Sequence, residues 1–310
     1  MIAPLAAAVL VAVPPSFIVY ELARRWPHRD PSAPKVSTEI IEKEVAKHRR
    51  FASLLRSRFD PSVDTGLLLT SALIGAAATL TAAGLLVRMI RADSGLATYD
   101  LWFAKWGSVH ATAVSTTGLK TISLLGGYQF LVVATLGVAG LEIRRGMGKS
   151  AVWILLLVVG GQYAVVNTVK AIVDRERPNI SQLTGFAGSS FPSGHSAAAI
   201  ASYSVFSLLL GRKRSPRVKA LLSALTIGIA VAVASSRVLL GVHWFTDVLG
   251  GLAVGWAWFT VVSMSFGGRV LRFGAPVAQA ERVLEENVSG ITNSAVGSDA
   301  TTNRSGAKRG

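Results

Sequence analysis

The sequence predicts an all-α fold: a polytopic membrane helix bundle with a six-span core and one extra span at the N-terminus. Three observations carry this. The 310 residues are 51% hydrophobic and only 16% charged, with a mean hydropathy of +0.47, too apolar for an ordinary soluble domain. The apolar residues come in long blocks, and roughly 20 such residues cross a bilayer core as helix. The basic residues gather between alternate blocks.

Ile2–Tyr20 opens the chain. No Lys or Arg precedes it and no small-x-small cleavage site stands before Glu21, so residues 1–21 read as a retained anchor rather than a cleaved signal peptide. Pro14 and Pro15 predict a kink, which membrane helices tolerate when neighbours satisfy the freed carbonyls. Gly66–Val87, Ala151–Val169, Ser196–Leu210 and Ala220–Ser236 hold no charged residue. Thr121–Ile143 holds only Glu142, and Trp244–Gly268 only Asp247. These six blocks define a core domain over residues 65–268.

Residues 22–64 form a basic segment. Val36, Ile40, Val45, Phe51 and Leu55 among its charges read as an amphipathic helix lying on the membrane surface. Residues 269–310 form a tail, rich in Ser, Thr, Gly and Asn from about residue 285 and expected to be disordered. Residues 97–114 place Trp102, Trp106 and Val109 at helical spacing, which predicts an interfacial helix or a simple anchor. His110 receives no role. Gly250, Gly251 and Gly255 predict close helix packing rather than a phosphate cradle. There is no cysteine, which excludes disulfides, thiolate chemistry and cysteine-based metal sites.

The net charge of +15 would point to nucleic acid in a soluble protein. Its placement says otherwise. Residues 22–64, the Arg144/Arg145/Lys149 loop, the Arg212–Lys219 loop and the tail all fall on one side of a seven-span chain. Short loops rich in Lys and Arg stay cytoplasmic. Topology and attraction to anionic lipid therefore account for the charge, and no nucleic-acid partner is expected. The opposite, extracytoplasmic side receives residues 88–120, 170–192 and the turn at 237–243.

Three stretches on that side carry chemistry. In KAIVDRERP (170–178), Lys170 and Arg177 are seven residues apart, two turns and roughly 10 Å along one helix face. Both can reach one anion, Arg with a planar fork and Lys with a compact charge. A snorkelling lysine, or an ion pair of Lys170 with Asp174, would be the structural alternative. In SSFPSGHSAAA (189–199), Pro192 and Gly194 fix a turn before a helix whose first N–H groups attract anions; Ser193 adds a hydroxyl and His195 sits in the first turn. A capping serine and a structurally satisfied histidine would look the same. In SRVLLGVHWFTDV (236–248), Arg237 closes a span and His243 stands four residues before Asp247, on the same face of a helix. A carboxylate there fixes the imidazole tautomer and leaves the other nitrogen free to attack. The alternative is a buried structural pair. Together the stretches offer three cations, a helix-start anion site and two histidines, a set suited to phosphoryl transfer.

The sequence resembles the type 2 phosphatidic acid phosphatase superfamily, whose fold is shared with vanadium haloperoxidases. The family pattern is Lys-x6-Arg-Pro, Pro-Ser-Gly-His and Ser-Arg-x5-His-x3-Asp. Every fixed position is matched, by Lys170, Arg177 and Pro178, by Pro192 to His195, and by Ser236, Arg237, His243 and Asp247. The resemblance covers roughly Gly66–Gly268. It implies that His243 attacks phosphorus to form a phosphohistidine, that Asp247 orients it, and that His195 protonates the leaving alkoxide and then activates water. It further implies that Lys170, Arg177 and Arg237 hold the phosphoryl oxygens, assisted by the Ser193 and Gly194 N–H groups. No cofactor and no metal are expected. The substrates implied are polyprenyl diphosphate carrier lipids, including undecaprenyl diphosphate, phosphatidic acid and phosphatidylglycerol phosphate. Carrier-lipid recycling leads on the bacterial look of the chain. The expected setting is the plasma membrane. A haloperoxidase-like use of the anion site and a lipid or anion transporter are the competing readings. The spans speak against the first, and the scarcity of mid-span charge against the second.

Overall fold

A computed structural model describes residues 2–25, 64–146, 148–180, 182–212 and 214–270. The surface helix expected at residues 35–59 and the tail beyond residue 270 lie outside the described residues. Two compact units divide the chain, Met1–Met264 and Ser265–Gly310, and the site lies wholly in the first.

The secondary structure of the described residues is helical, with no strand among them. In order they form α1 (Ala3–Arg25), α2 (Asp64–Arg91), a 3-10 turn (Gly95–Tyr99), α3 (Asp100–Val109), α4 (Ala113–Leu124), α5 (Tyr128–Arg144), α6 (Gly148–Leu155), a π turn (Leu156–Gly160), α7 (Gly161–Val173), α8 (Gly194–Leu210), α9 (Pro216–Leu239) and α10 (Phe245–Val270). Five segments are long and apolar enough to cross a membrane: α1, α2, α6–α7, α9 and α10. α8, at 17 residues, spans about 26 Å, a little short of a full hydrocarbon core.

One expectation is corrected here. Thr121–Ile143 is not one straight span. Its start belongs to α4, and α4 meets α5 at a 43° bend; the two are long and apolar enough to cross a membrane only when taken together. The bend is tight because Gly126 packs where a Cβ would lie 2.5 Å from Val233 Cγ1 and 2.9 Å from the His195 carbonyl oxygen. The helix at 100–109 also splits its aromatic face. Trp102 and Val109 are exposed, but Trp106 packs on the cluster of Ala8, Leu119, Leu239, Leu240 and Val242. His110 stacks on Trp106 at 4.6 Å, which gives that histidine a structural place.

Pro14 and Pro15 lie inside α1 without ending it. Ser16 Oγ donates to Ala12 O at 2.6 Å within the same turn. α1 lies along α9 and α4.

α8 is the centre of the bundle, buried continuously from Ser196 to Ser202 and packed on α9, α5 and α7. Small residues let α10 approach it. A Cβ on Gly251 would lie 2.5 Å from Ser193 O, and one on Gly255 would collide with Ala197 O. The close-packing role expected of these glycines matches this seam.

Candidate active site

The site assembles at one end of the bundle. The C-termini of α7 and α9, the N-termini of α3, α8 and α10, the loop 174–193 and the turn 240–244 all contribute.

Lys170 stands in the last turn of α7. The helix stops at Val173, because Asp174 adopts a left-handed conformation (φ 43°, ψ 53°) and returns its N–H to Lys170 O at 2.9 Å. Arg177 is therefore off the helix, and the two-turn register expected for it with Lys170 does not exist. Asp174 is a cap, not an ion partner of Lys170. The loop achieves the convergence instead. Lys170 Nζ donates to Ser189 O. Arg177 donates through Nε to Gly188 O (2.9 Å), through Nη2 to Ala187 O (2.7 Å) and through Nη1 to Val242 O (2.6 Å). Burial lowers the pKa of this guanidinium from its ordinary value.

The turn between α9 and α10 carries His243. Gly241 at φ 72° permits it, since a side chain there would be strained. α10 begins at Phe245, so His243 precedes the helix and the same-face argument does not apply. Asp247 reaches back across the helix start, accepting the Trp244 N–H at 2.9 Å. His243 Nδ1 lies 3.5 Å from Asp247 Oδ2, longer than a good hydrogen bond. His243 Nε2 lies 3.4 Å from Arg177 Nη1. Arginine has no acceptor, so Nε2 is the unprotonated nitrogen in this contact. The imidazole proton then belongs on Nδ1, facing the carboxylate. Burial pushes the His243 imidazole down to about 4, against the upward pull of Asp247.

Asp247 is fully buried. Its Oδ2 also accepts from Ser190 Oγ, and its Oδ1 from Arg175 Nη1 at 2.7 Å. Arg175 Nη2 in turn donates to Asp100 Oδ2 at 2.7 Å, and Asp100 Oδ1 accepts the Thr246 N–H at 2.8 Å. Sequence reasoning missed Arg175, Asp100, Ser190 and Thr246. Arg175 stood inside a motif already quoted, and no local signal linked it to Asp100.

Arg237 is 4% exposed. Its Nη1 donates to Ser123 Oγ at 2.7 Å, while its Nε is buried with no partner in the fold. His195 lies in the first turn of α8, half-buried and within Coulombic reach of Arg237, His243, Arg177 and Lys170. Ser193 is the N-cap of α8, and its hydroxyl accepts from Ser196 Oγ at 3.0 Å. Its N–H donates to Asp247 O at 2.9 Å. Of the two backbone donors expected there, Ser193's is committed to Asp247. Gly194, the first residue of α8, has the N–H that a helix start leaves without an intrahelical partner.

A helical membrane bundle with cations ringed about two histidines at one end belongs, by its chemistry, with enzymes that handle phosphate groups. Comparison with known proteins supplies the family. The family model described as PAP2 superfamily matches residues 151–270. Phosphatidylglycerophosphatase B of Bacillus subtilis is 37% identical over 158 residues, 49% of this chain and 75% of that protein. Lipid A 1-phosphatase of Rhizobium etli is 32% identical over 109 residues, 32% of this chain and 43% of that protein. The crystal structure of a transmembrane PAP2 type phosphatidylglycerolphosphate phosphatase from Bacillus subtilis matches with a TM-score of 0.58 at 28% identity, covering 64% of this chain and 98% of that one. The chain belongs to the PAP2 superfamily. It is a multi-pass membrane protein and a hydrolase of the phosphatase class.

Proposed function

We propose that the protein hydrolyses a lipid phosphate at the extracytoplasmic face of the plasma membrane through a phosphohistidine intermediate. One observation carries the reading: the two nitrogens of His243 face opposite partners, Nδ1 toward Asp247 and Nε2 toward Arg177. Nε2 attacks phosphorus and the bond from phosphorus to the ester oxygen breaks. His195, charged once the phosphate dianion sits beside it, gives its proton to the departing alkoxide. Neutral His195 then takes a proton from water, whose oxygen attacks phosphorus and releases His243 and inorganic phosphate. Asp247 stabilises the charge that develops on His243. Lys170, Arg177, Arg237 and the Gly194 N–H hold the phosphoryl oxygens, and the unpaired Nε of Arg237 offers a buried donor for one of them. Ser193 serves through its hydroxyl and by capping α8.

Phosphatidylglycerol phosphate becomes the first substrate to test, because the relative at 37% identity carries phosphatidylglycerophosphatase in its name. Phosphatidic acid and undecaprenyl diphosphate stand beside it. Arg144, Arg212, Arg217 and Lys219 support the orientation, since they stand at the ends of α5, α8 and α9 opposite the site.

The test is phosphate release by the purified protein in detergent with EDTA present, from those three lipids, with His243→Ala alongside. Release from one or more lipids, lost by at least about 10³-fold in the variant, is expected. Release that the variant retains would refute the role of His243. No release from any lipid by folded protein would refute the lipid phosphatase reading.

A further inference from the structure

We infer that Asp100, at the N-terminus of α3, is a positioning residue for the reaction, acting through Arg175 on the His243–Asp247 pair. The inference rests on the phosphohistidine reading above.

The geometry is a closed chain of short contacts. Arg175 forks between two carboxylates, Nη2 to Asp100 Oδ2 and Nη1 to Asp247 Oδ1, both at 2.7 Å. Thr246 ties Arg175 to Asp100 a second time. Its N–H donates to Asp100 Oδ1 at 2.8 Å and its hydroxyl to Asp100 Oδ2 at 2.6 Å, while Arg175 Nη1 donates to the hydroxyl oxygen at 2.7 Å. Asp100 is 3% exposed and Asp247 0%. Arg175 is covered on another side by the Trp244 ring, 5.4 Å from its carbon centre. Of the side chains in this chain of contacts, Asp247 is the one paired with the His243 ring, and Asp100 reaches it only through Arg175.

Charge explains why a second carboxylate is needed. A buried Arg175–Asp247 pair alone would be neutral, and a neutral pair stabilises an imidazolium poorly. With Asp100 on the other arm of the fork, the three groups sum to one negative charge. That charge is what the developing imidazolium of His243 requires during attack. Asp100 also fixes where the guanidinium sits, and therefore where Asp247 Oδ2 points. α3 adds the remaining constraint. Gly107 presses on the end of α9, where a Cβ would lie 2.8 Å from Leu239 Cα, so Asp100 is carried on a helix with little room to shift.

The experiment is a charge-rescue cycle. Asp100→Asn keeps the shape but makes the three-group sum neutral. Arg175→Gln in that background returns the sum to one negative charge. In the wild-type assay with the preferred lipid, Asp100→Asn should lower kcat by about 10- to 100-fold with KM nearly unchanged, the size expected when a partner that orients a reacting group is lost. The double variant should regain part of that kcat, since groups in one network are not additive. Should Asp100→Asn fail to fold, Arg175→Lys carries the test. It keeps the charge but loses the fork, and kcat should fall at constant KM. A raised KM with kcat unchanged in Asp100→Asn, a double variant no faster than Asp100→Asn, or an unchanged kcat in Arg175→Lys would each overturn the inference. Those results leave the phosphatase reading standing when wild type is active and His243→Ala is dead. Absence of phosphate release from wild type would overturn both.

Discussion

Gly251→Ala tests whether the α8–α10 seam sets the site geometry. The added Cβ would lie 2.5 Å from Ser193 O and 3.0 Å from Ser196 Cβ, where ordinary contact begins at 3.4 Å. The obstacle is backbone, so relief requires α10 to move by about 0.9 Å relative to the start of α8. Overpacking of this kind costs about 1–3 kcal/mol. The shift falls on the bond from Ser193 N–H to Asp247 O, and so on the carboxylate that faces His243. A displacement near 1 Å at reacting groups costs about 10²-fold in rate. The expected result is a lower thermal midpoint and phosphate release reduced roughly 100-fold, with the lipid ranking unchanged. Gly140→Ala on α5 is the control. Nothing lies within 4 Å of its Cβ, and alanine favours helix by up to about 1 kcal/mol. Full activity and an unaltered midpoint in Gly251→Ala would refute the claim that this seam positions the site.

Two further outcomes follow from the same geometry. Ser123→Ala removes the hydroxyl that Arg237 Nη1 bonds at 2.7 Å, so stability should fall by about 1.5–3 kcal/mol and KM should rise; an unchanged KM would place Arg237 outside phosphate binding. The depressed imidazole of His243 has a pH signature. Its folded value is about 4 against 6.5 for the free group, so the unfolded chain takes up the proton first as pH falls. Stability should therefore decline as pH falls from about 6.5 to about 4, and the thermal midpoint of wild type should drop relative to that of His243→Gln across that window.

The spans were legible because hydrophobic composition is local, and the three motifs because their residue types and spacings are local too. What failed were arguments that carried helix geometry past a helix end. Lys170 and Arg177 converge, yet by a loop, since Asp174 takes the left-handed conformation that aspartate tolerates better than most residues. His243 and Asp247 meet across a helix start rather than along a face. The partner set of Arg175 was invisible for a different reason. Asp100 lies 75 residues before it and Thr246 lies 71 after it, and only the folded bundle brings them together. The bend at Gly126 depends in the same way on Val233 and His195, which no window around residue 126 contains.

Charge distribution within the site bears on selectivity. Lys170, Arg175, Arg177 and Arg237 are its cations, and among the described residues the carboxylates paired with any of them are Asp100 and Asp247, both on Arg175. Three cations thus have no carboxylate paired with them. Lys170 and Arg177 direct their donors to backbone carbonyls, and Arg237 to one serine hydroxyl. A phosphoryl dianion that replaced those carbonyl contacts would exchange charge–dipole interactions for shorter charge–charge ones, in a region where burial already weakens solvation of the guanidinium of Arg177. A phosphodiester carries one negative charge and two blocked oxygens, so it gains less from the same three cations. The site should therefore favour a terminal phosphate over the diester linkage of the same lipid. A diester lipid such as phosphatidylglycerol should inhibit only weakly, and inhibition as strong as that by inorganic phosphate would contradict this account of the charge.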